Sequence, residues 1–217
     1  MVRSTRQRNL RGHGALLRDE ILSAATRVID LSQSESEVSL RSIAREAGIA
    51  TMSVYAHFED RDDLLMAVAE ASWTQVSDEI TEHSKSGRTA RTRLLLGCQA
   101  YVSFAKRFPL RYALMTQAGD VTPAARQVLE QVIRGLLACR SRDPQSPPTI
   151  ASHRIAAAFS VSLHGVAMLH RTDAPSLWLS EFTTDEIIRS MVDAAILQQD
   201  HAGSTRDKRA ARGRPAK

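Results

Sequence analysis

Apolar residues recur along this chain at the three- and four-residue spacing of helices, and strand-like alternation is found nowhere. Over residues 16–31, Leu17, Ile21, Ala24, Ala25, Val28 and Ile29 fall on one face, and the polar run 32–37 ends the segment. Ser39 stands where an N-cap belongs, ahead of a second stripe of Leu40, Ile43, Ala44 and Ala47. Gly48 can adopt the left-handed conformation of a helix C-terminus, so it stops this helix, and a short one follows over 51–57. Asp60, with Asp63 as a capping-box-like partner, opens a helix over 61–80 whose inner face is Leu64, Leu65, Val68, Ala69, Trp73, Val76 and Ile80.

After a polar loop at 83–88, a helix over 89–107 carries Leu94, Cys98, Tyr101 and Val102 inward until Pro109 breaks it, and a short helix follows to about 118. Thr122 and Pro123 are a cap and a first-turn residue for a helix over 123–139. A Pro- and Ser-rich stretch at 140–148 separates it from a long helix over 149–171, and a last helix covers 184–199. The pattern predicts an all-α protein: a basic arm over 1–15, a helix-turn-helix module over 16–66, a helical body over 67–199, and a basic tail over 200–217. Arm and tail lack apolar periodicity and are read as disordered.

Charge sharpens this division. The net charge of +5 is distributed as +5 on residues 1–18, +4 on residues 200–217 and −4 on the middle. Basic ends on a slightly acidic body point to a polyanionic partner, the alternative being tails that are merely solvated. The apolar fraction of 43% suffices for a core. No apolar run reaches the ~18–20 residues of a membrane span, and no apolar segment follows the Arg-rich start as a secretory signal requires. A cytoplasmic protein without a membrane partner is expected. Cys98 and Cys139 match no metal or redox spacing and sit in apolar helical stripes, which favours small core residues over a disulfide or redox pair. His153 and His164 lie about 16 Å apart along one helix, too far to share a metal. No phosphate loop, zinc-protease pair or nucleophile elbow is present, so neither an enzyme nor a cofactor is expected.

The short helix after Gly48 is lightly apolar and exposes Thr51, Met52 and Ser53 at its start. A recognition helix reads base edges from its N-terminal residues while the preceding helix braces it. Small polar groups there can approach bases, and Met52 could meet a thymine methyl. Tyr55, His57 and Arg61 lie where phosphates would pass and carry suitable donors, whereas Val54 and Phe58 point inward. The stretch Ser39-Leu-Arg-Ser-Ile-Ala-Arg-Glu-Ala-Gly-Ile-Ala-Thr-Met-Ser-Val-Tyr-Ala-His-Phe-Glu-Asp-Arg-Asp-Asp-Leu-Leu65, preceded by Ile21-Leu-Ser-Ala-Ala, resembles the TetR family signature closely over residues 16–70. Two positions depart from it: Ala50 replaces the usual Ser or Thr, and Met52 the common Gly. The resemblance implies that Thr51, Met52 and Ser53 face bases, that Tyr55, His57 and Arg61 hold phosphates, and that Arg41 and Ser42 add contacts from the supporting helix.

The same resemblance implies a repressor that leaves a pseudo-palindromic operator in double-stranded DNA when a small apolar ligand enters the body. It also implies a homodimer through the last two long helices, the first offering Ile155, Ala156, Phe159, Leu163 and Val166, with small Ala157, Ala158 and Gly165 allowing close approach, and the last offering Ile187, Ile188, Met191, Val192, Ala195 and Ile196. Candidate ligand contacts are Tyr101, Phe104, Met115, Leu136, His164, Met168 and Trp178, each of which could equally be plain core. In the tail, Arg212, Gly213, Arg214 and Pro215 resemble the core of an AT-hook, which suits either a narrow minor groove or non-specific phosphate attraction. An architectural DNA-coating protein that uses its basic ends without a ligand is the competing reading.

Overall fold

The computed structural model describes residues 14–117, 122–140, 147–169 and 181–212, without the side chains of Gly14 and 202–212. The chain divides into two compact units between Ala69 and Glu70. Among the described residues every regular element is helical.

The first unit holds α1 (Gly14–Leu31), a single 3-10 turn (Glu35–Glu37), α2 (Leu40–Ala47), α3 (Thr51–Tyr55) and the start of α4 (Arg61–Ser84). Its core is built mostly from residues the periodicity selects, Ile21, Ala24, Ala25 and Ile29 from α1, Ile43 and Ala44 from α2, then Val54, Phe58, Leu64 and Val68; Val38 joins them unselected, and the selected Leu17, Val28 and Ala47 are only half-buried. Each larger buried side chain contributes roughly 1.5–3 kcal/mol by leaving water. Arg18 lies over the Phe58 ring at 4.7 Å, closing the outer side of that core. The α2 cap is reciprocal: Ser42 N–H donates to Ser39 Oγ at 3.1 Å, and Ser39 N–H donates to Ser42 Oγ at 3.0 Å. At the other end Gly48 takes φ 67°, and its N–H turns back to the last carbonyls of α2.

The second unit holds the remainder of α4 with α5 (Ala90–Arg107), α6 (Pro109–Gln117), α7 (Pro123–Ala138), α8 (Ile150–Leu169) and α9 (Thr184–Arg212). Thr89 and Thr122 cap α5 and α7 by accepting from Thr92 and Ala125 N–H at 3.1 and 3.2 Å. Phe104, Tyr112, Leu136 and Ile188 are fully enclosed. Buried polar groups tie neighbouring helices: Trp73 Nε1 donates to Met115 O at 3.1 Å, Arg140 to Ser152 Oγ at 2.6 Å, and Gln199 Nε2 to Ser152 O at 3.3 Å. At the surface, Arg91 forms a fork with Asp193 at 2.6 and 2.8 Å, which holds the Asp193 carboxyl below its ordinary range.

Two helices outrun their predicted ends. α4 continues to Ser84, and α9 continues to Arg212 where the apolar stripe predicts a stop at 199. Beyond 199 no stripe remains to be read, but Ala, Arg and Lys make up about half of 200–212, and these have high intrinsic helix propensity. The basic tail therefore begins on a helix; the arm over 1–13 and residues 213–217 lie outside the described residues. No described helix is long and apolar enough to cross a membrane.

A Cβ at Gly48 would meet no atom within 4 Å, so only its positive φ resists substitution. Gly48→Ala should cost about 1–2 kcal/mol of stability in urea denaturation, and Gly48→Asn distinctly less. Equal stability of all three proteins would contradict the left-handed cap.

Candidate nucleic-acid interface and ligand cavity

α3 has only 5 residues and one buried side chain, Val54. Its other positions turn outward: Met52 is 76% and Tyr55 50% exposed, with Thr51 and Ser53 half-buried beside them. Met52 and Tyr55 are one turn apart and share a face. His57 follows, half-buried, with no side-chain hydrogen bond among the described residues. Arg41 is exposed on α2. Thr51, Met52, Ser53, Tyr55 and His57 all lie in a stretch, 47–58, that holds no acid. Ala50 is the N-cap of α3 and provides no side-chain bond, as its methyl group dictates.

Two of the expected contact residues are occupied locally. The Ser42 hydroxyl donates to Ser39 O at 2.8 Å as part of the α2 cap. Arg61 Nε donates to Val38 O at 2.9 Å, and its Nη2 to Glu35 O at 2.9 Å and Glu35 Oε1 at 3.1 Å, with Asp62 Oδ1 3.5 Å from Nη1. A guanidinium anchored on two backbone carbonyls and flanked by two carboxylates holds the segment before α2 against the start of α4. The sequence could not reveal this, because the partners lie 23 and 26 residues away.

In the second unit a cavity of about 440 Å³ lies between α4, α5, α7 and α8. Tyr101 and Leu163 line it, as do Trp73 and Ile80, whose stripe on α4 predicts plain core. Phe104, Met115 and Leu136 do not: they are packed in solid core, and apolar period alone cannot distinguish a core wall from a cavity wall. His164 is not a lining residue either. It closes a relay behind the wall, in which Tyr101 OH meets Tyr112 OH at 2.9 Å and Tyr112 OH meets His164 Nδ1 at 2.7 Å. Burial pushes the Tyr101 phenol up, partly offset by its bond to Tyr112. Met168 is 38% exposed on the outer side of α8, and Trp178 lies outside the described residues, as do Gly213, Arg214, Pro215 and the Arg212 side chain.

The largest omission from the sequence reading is α7, which supplies Val128, Gln131, Val132 and Gly135 to the cavity. Gly135 was the available signal. A Cβ there would lie 3.0 Å from Leu94 Cδ1, and one at Gly97 on α5 would lie 3.1 Å from both Ile80 Cγ2 and Ser84 Oγ. These two glycines let α4, α5 and α7 approach closely around the cavity.

α8 and α9 divide the expected pairing face: Ala157, Ala158 and Gly165 stay exposed and Ile155, Ile187, Met191 and Ile196 half-buried, while the rest turns inward. Ala156, Phe159, Leu163 and Val166 are buried within the unit, as are Ile188, Val192 and Ala195. The apolar surface left outside on α8 is Ile150 at 75% and Val161 at 71% exposure, with Ala157, Ala158 and Gly165, and Leu197 is exposed on α9. A Cβ at Gly165 would meet nothing within 4 Å, so no neighbour within the protomer requires glycine there. His153 Nδ1 sits 2.8 Å from Thr149 O in its own helix, and no group of three or more His, Cys, Asp or Glu among the described residues could hold a metal.

The family model described as bacterial regulatory proteins, tetR family, matches residues 21–68. The model described as tetracyclin repressor-like, C-terminal domain, matches residues 94–195. A protein of unknown function from Rhodococcus sp. RHA1 is 23% identical, with 90% of this chain and 97% of that one covered at a TM-score of 0.67. A TetR-family transcriptional regulator from Streptomyces coelicolor is 16% identical, with 91% and 86% covered and a TM-score of 0.65. A TetR transcriptional regulator from Rhodococcus sp. RHA1 is 19% identical, with 83% and 96% covered and a TM-score of 0.57. At these identities the likeness establishes the fold.

Cys98 and Cys139 are both free thiols. Burial, then the charge of Cys139, pushes the Cys98 thiol up to about 12, while Cys139 is raised by burial and pulled back by Arg91 and Arg93. Because the thiolate is the reactive form, iodoacetamide at pH 8 should label Cys139 ahead of Cys98, and Cys98 should react fully only in denaturant. Mass spectrometry of the two cysteine peptides checks this order, and faster labelling of Cys98 in the native protein would contradict it.

Proposed function

The chain belongs to the TetR family of DNA-binding transcriptional regulators, which are transcription factors and not enzymes, and from that premise we propose that it is a sequence-specific repressor that leaves its operator when a small molecule fills the body cavity. The observation that carries this reading is the outward cluster on α3, within a segment matched by the tetR family model. Met52, Thr51 and Ser53 are placed to meet base edges, and Tyr55 and His57 to donate to phosphates on either side, with Arg41 adding charge from α2. Ser42 and Arg61 also act as positioning residues, since their polar atoms shape the α2 entrance beside this surface. Tail residues Arg212, Gly213, Arg214 and Pro215 add salt-dependent attraction, in the minor groove or along the phosphates.

The operator is read as a pseudo-palindrome by a homodimer, in keeping with the family. The exposed stripe of Ile150, Ala157, Ala158, Val161 and Gly165 supports this, because small residues flanking Val161 let a second helix approach closely. Repression is relieved when a ligand binds more tightly to the conformation that misfits DNA, which is a population shift and requires that difference in affinity.

Selection from a random DNA pool at physiological salt should enrich one pseudo-palindrome. Met52→Ala should change the enriched sequence, with base discrimination altered by about 1–3 kcal/mol at the affected position. Tyr55→Ala should weaken binding to all sequences alike. Absence of any enriched sequence, with binding lost at moderate salt, would overturn the repressor reading in favour of a DNA-coating protein. Separately, Val161→Glu should convert the dimer to a monomer in sedimentation velocity and abolish preference for the palindrome. A dimer that survives this change would place the interface elsewhere.

A further inference from the structure

The chemistry of the cavity narrows its occupant. Its wall is mainly aliphatic and aromatic, and none of its lining residues is an Asp or Glu. The charges that line it are all positive: Lys85 at the end of α4, Arg93 in the first turn of α5, and Arg134 on α7. All three side chains are exposed to solvent, so they mark the rim. They also mark one end. α7 meets α5 where Gly135 abuts Leu94, and Arg93 reaches back to Gly87 O at 3.2 Å in the loop just beyond Lys85. Tyr101 lies eight residues farther along α5 than Arg93, about 12 Å deeper at the helical rise.

The three cations are not equally engaged. Lys85 is paired with Glu82 at 2.5 Å. Arg93 spends one donor on Gly87 O, and Arg134 makes no ion pair among the described residues. Two guanidinium groups with unused donors therefore stand over the mouth of a carboxylate-free apolar chamber. The chamber is not a dry packing void, which would be lined by apolar atoms alone. Gln131 Oε1 and Ser160 Oγ are buried in its wall without a hydrogen-bond partner. Its volume equals that of about fifteen waters at ~30 Å³ each, which is room for an organic molecule.

Resting on the reading of this cavity as the effector site, we propose that its ligand is an amphipathic organic acid, with its apolar body along Trp73, Tyr101 and Leu163 and its carboxylate held at the rim by Arg93 and Arg134. A carboxylate matches the planar fork of arginine, and an amine would meet only like charge there. The pairing lies at the rim, where water persists, so it selects among amphiphiles while burial of the body supplies most of the affinity.

Three probes with one chain length separate the possibilities: decanoate, decanol and decylammonium, each titrated calorimetrically into the full-length protein. Decanoate should bind at least about tenfold more tightly than the other two, and added salt should reduce that preference. R93Q/R134Q should weaken decanoate by about tenfold and leave decanol unchanged, with helical content preserved by circular dichroism. R134Q alone, which removes no hydrogen bond or ion pair among the described residues, should produce part of this loss. Equal affinity for the three probes, tighter binding of decylammonium, or an R93Q/R134Q protein unchanged toward decanoate would overturn the proposal. Operator release is measured separately by fluorescence anisotropy. Selective decanoate binding without release would uphold the ligand class and refute ligand-relieved repression, whereas release by decanol or decylammonium as readily as by decanoate would do the opposite.

Discussion

A helix of 5 residues cannot hold itself together in water, because nucleation costs more than so few backbone bonds return. α3 exists only because Val54 and Phe58 are locked into the core of the first unit, at 0% and 1% exposure. Everything that faces outward from α3 depends on those two anchors. The residues around them serve the same constraint. Gly48 turns the chain at the angle that delivers Val54 inward, the reciprocal serine cap fixes where α2 begins, and Arg61 binds the preceding segment to α4. Stability and contact are thus divided between alternate positions of one short stretch.

The second unit is organised differently. Its helices are long enough to be stabilised by broad apolar faces, and its polar groups are few and mostly paired. The Tyr101–Tyr112–His164 relay, the Arg140–Ser152–Gln199 cluster and the Trp73–Met115 bond each join elements distant in sequence. A misaligned helix would break several such bonds at once and leave buried polar atoms without partners, at a cost of about 1–3 kcal/mol each. These pairings fix register around a space that packing alone would tend to close.

The helices were legible because their boundaries carry chemistry: Ser39, Gly48, Asp60, Thr89, Thr122 and Pro123 each mark an end that the structure keeps within a residue or two. The core of the first unit was legible for the same reason, since its apolar positions are periodic and its helices short. The cavity was not. Phe104, Met115 and Leu136 carry the same signal as Tyr101, and only three-dimensional packing decides which of them borders empty space. α8 shows the same limit in reverse. Period groups Phe159 and Leu163 in one stripe without Val161, but it cannot tell that this stripe faces the unit's own core while Val161 turns out. The anchoring role of Arg61 was not legible either, because its carbonyl partners are remote in sequence.

The two glycines that bring α4, α5 and α7 together also bear on how such a chamber can diverge. Where a pocket is bounded by large side chains, trimming one enlarges it locally and leaves the scaffold in place. Here the spacing of the walls is set where there is no side chain to trim: a single methyl at Gly135 or Gly97 would press on the side chains of Leu94 or of Ile80 and Ser84 at about 3 Å, and those side chains would have to give by a few tenths of an ångström. Drift at these positions would therefore act on the chamber indirectly, by displacing the Leu94, Ile80 and Ser84 side chains that line it, so a lineage could reshape its effector site without replacing Trp73, Tyr101 or Leu163.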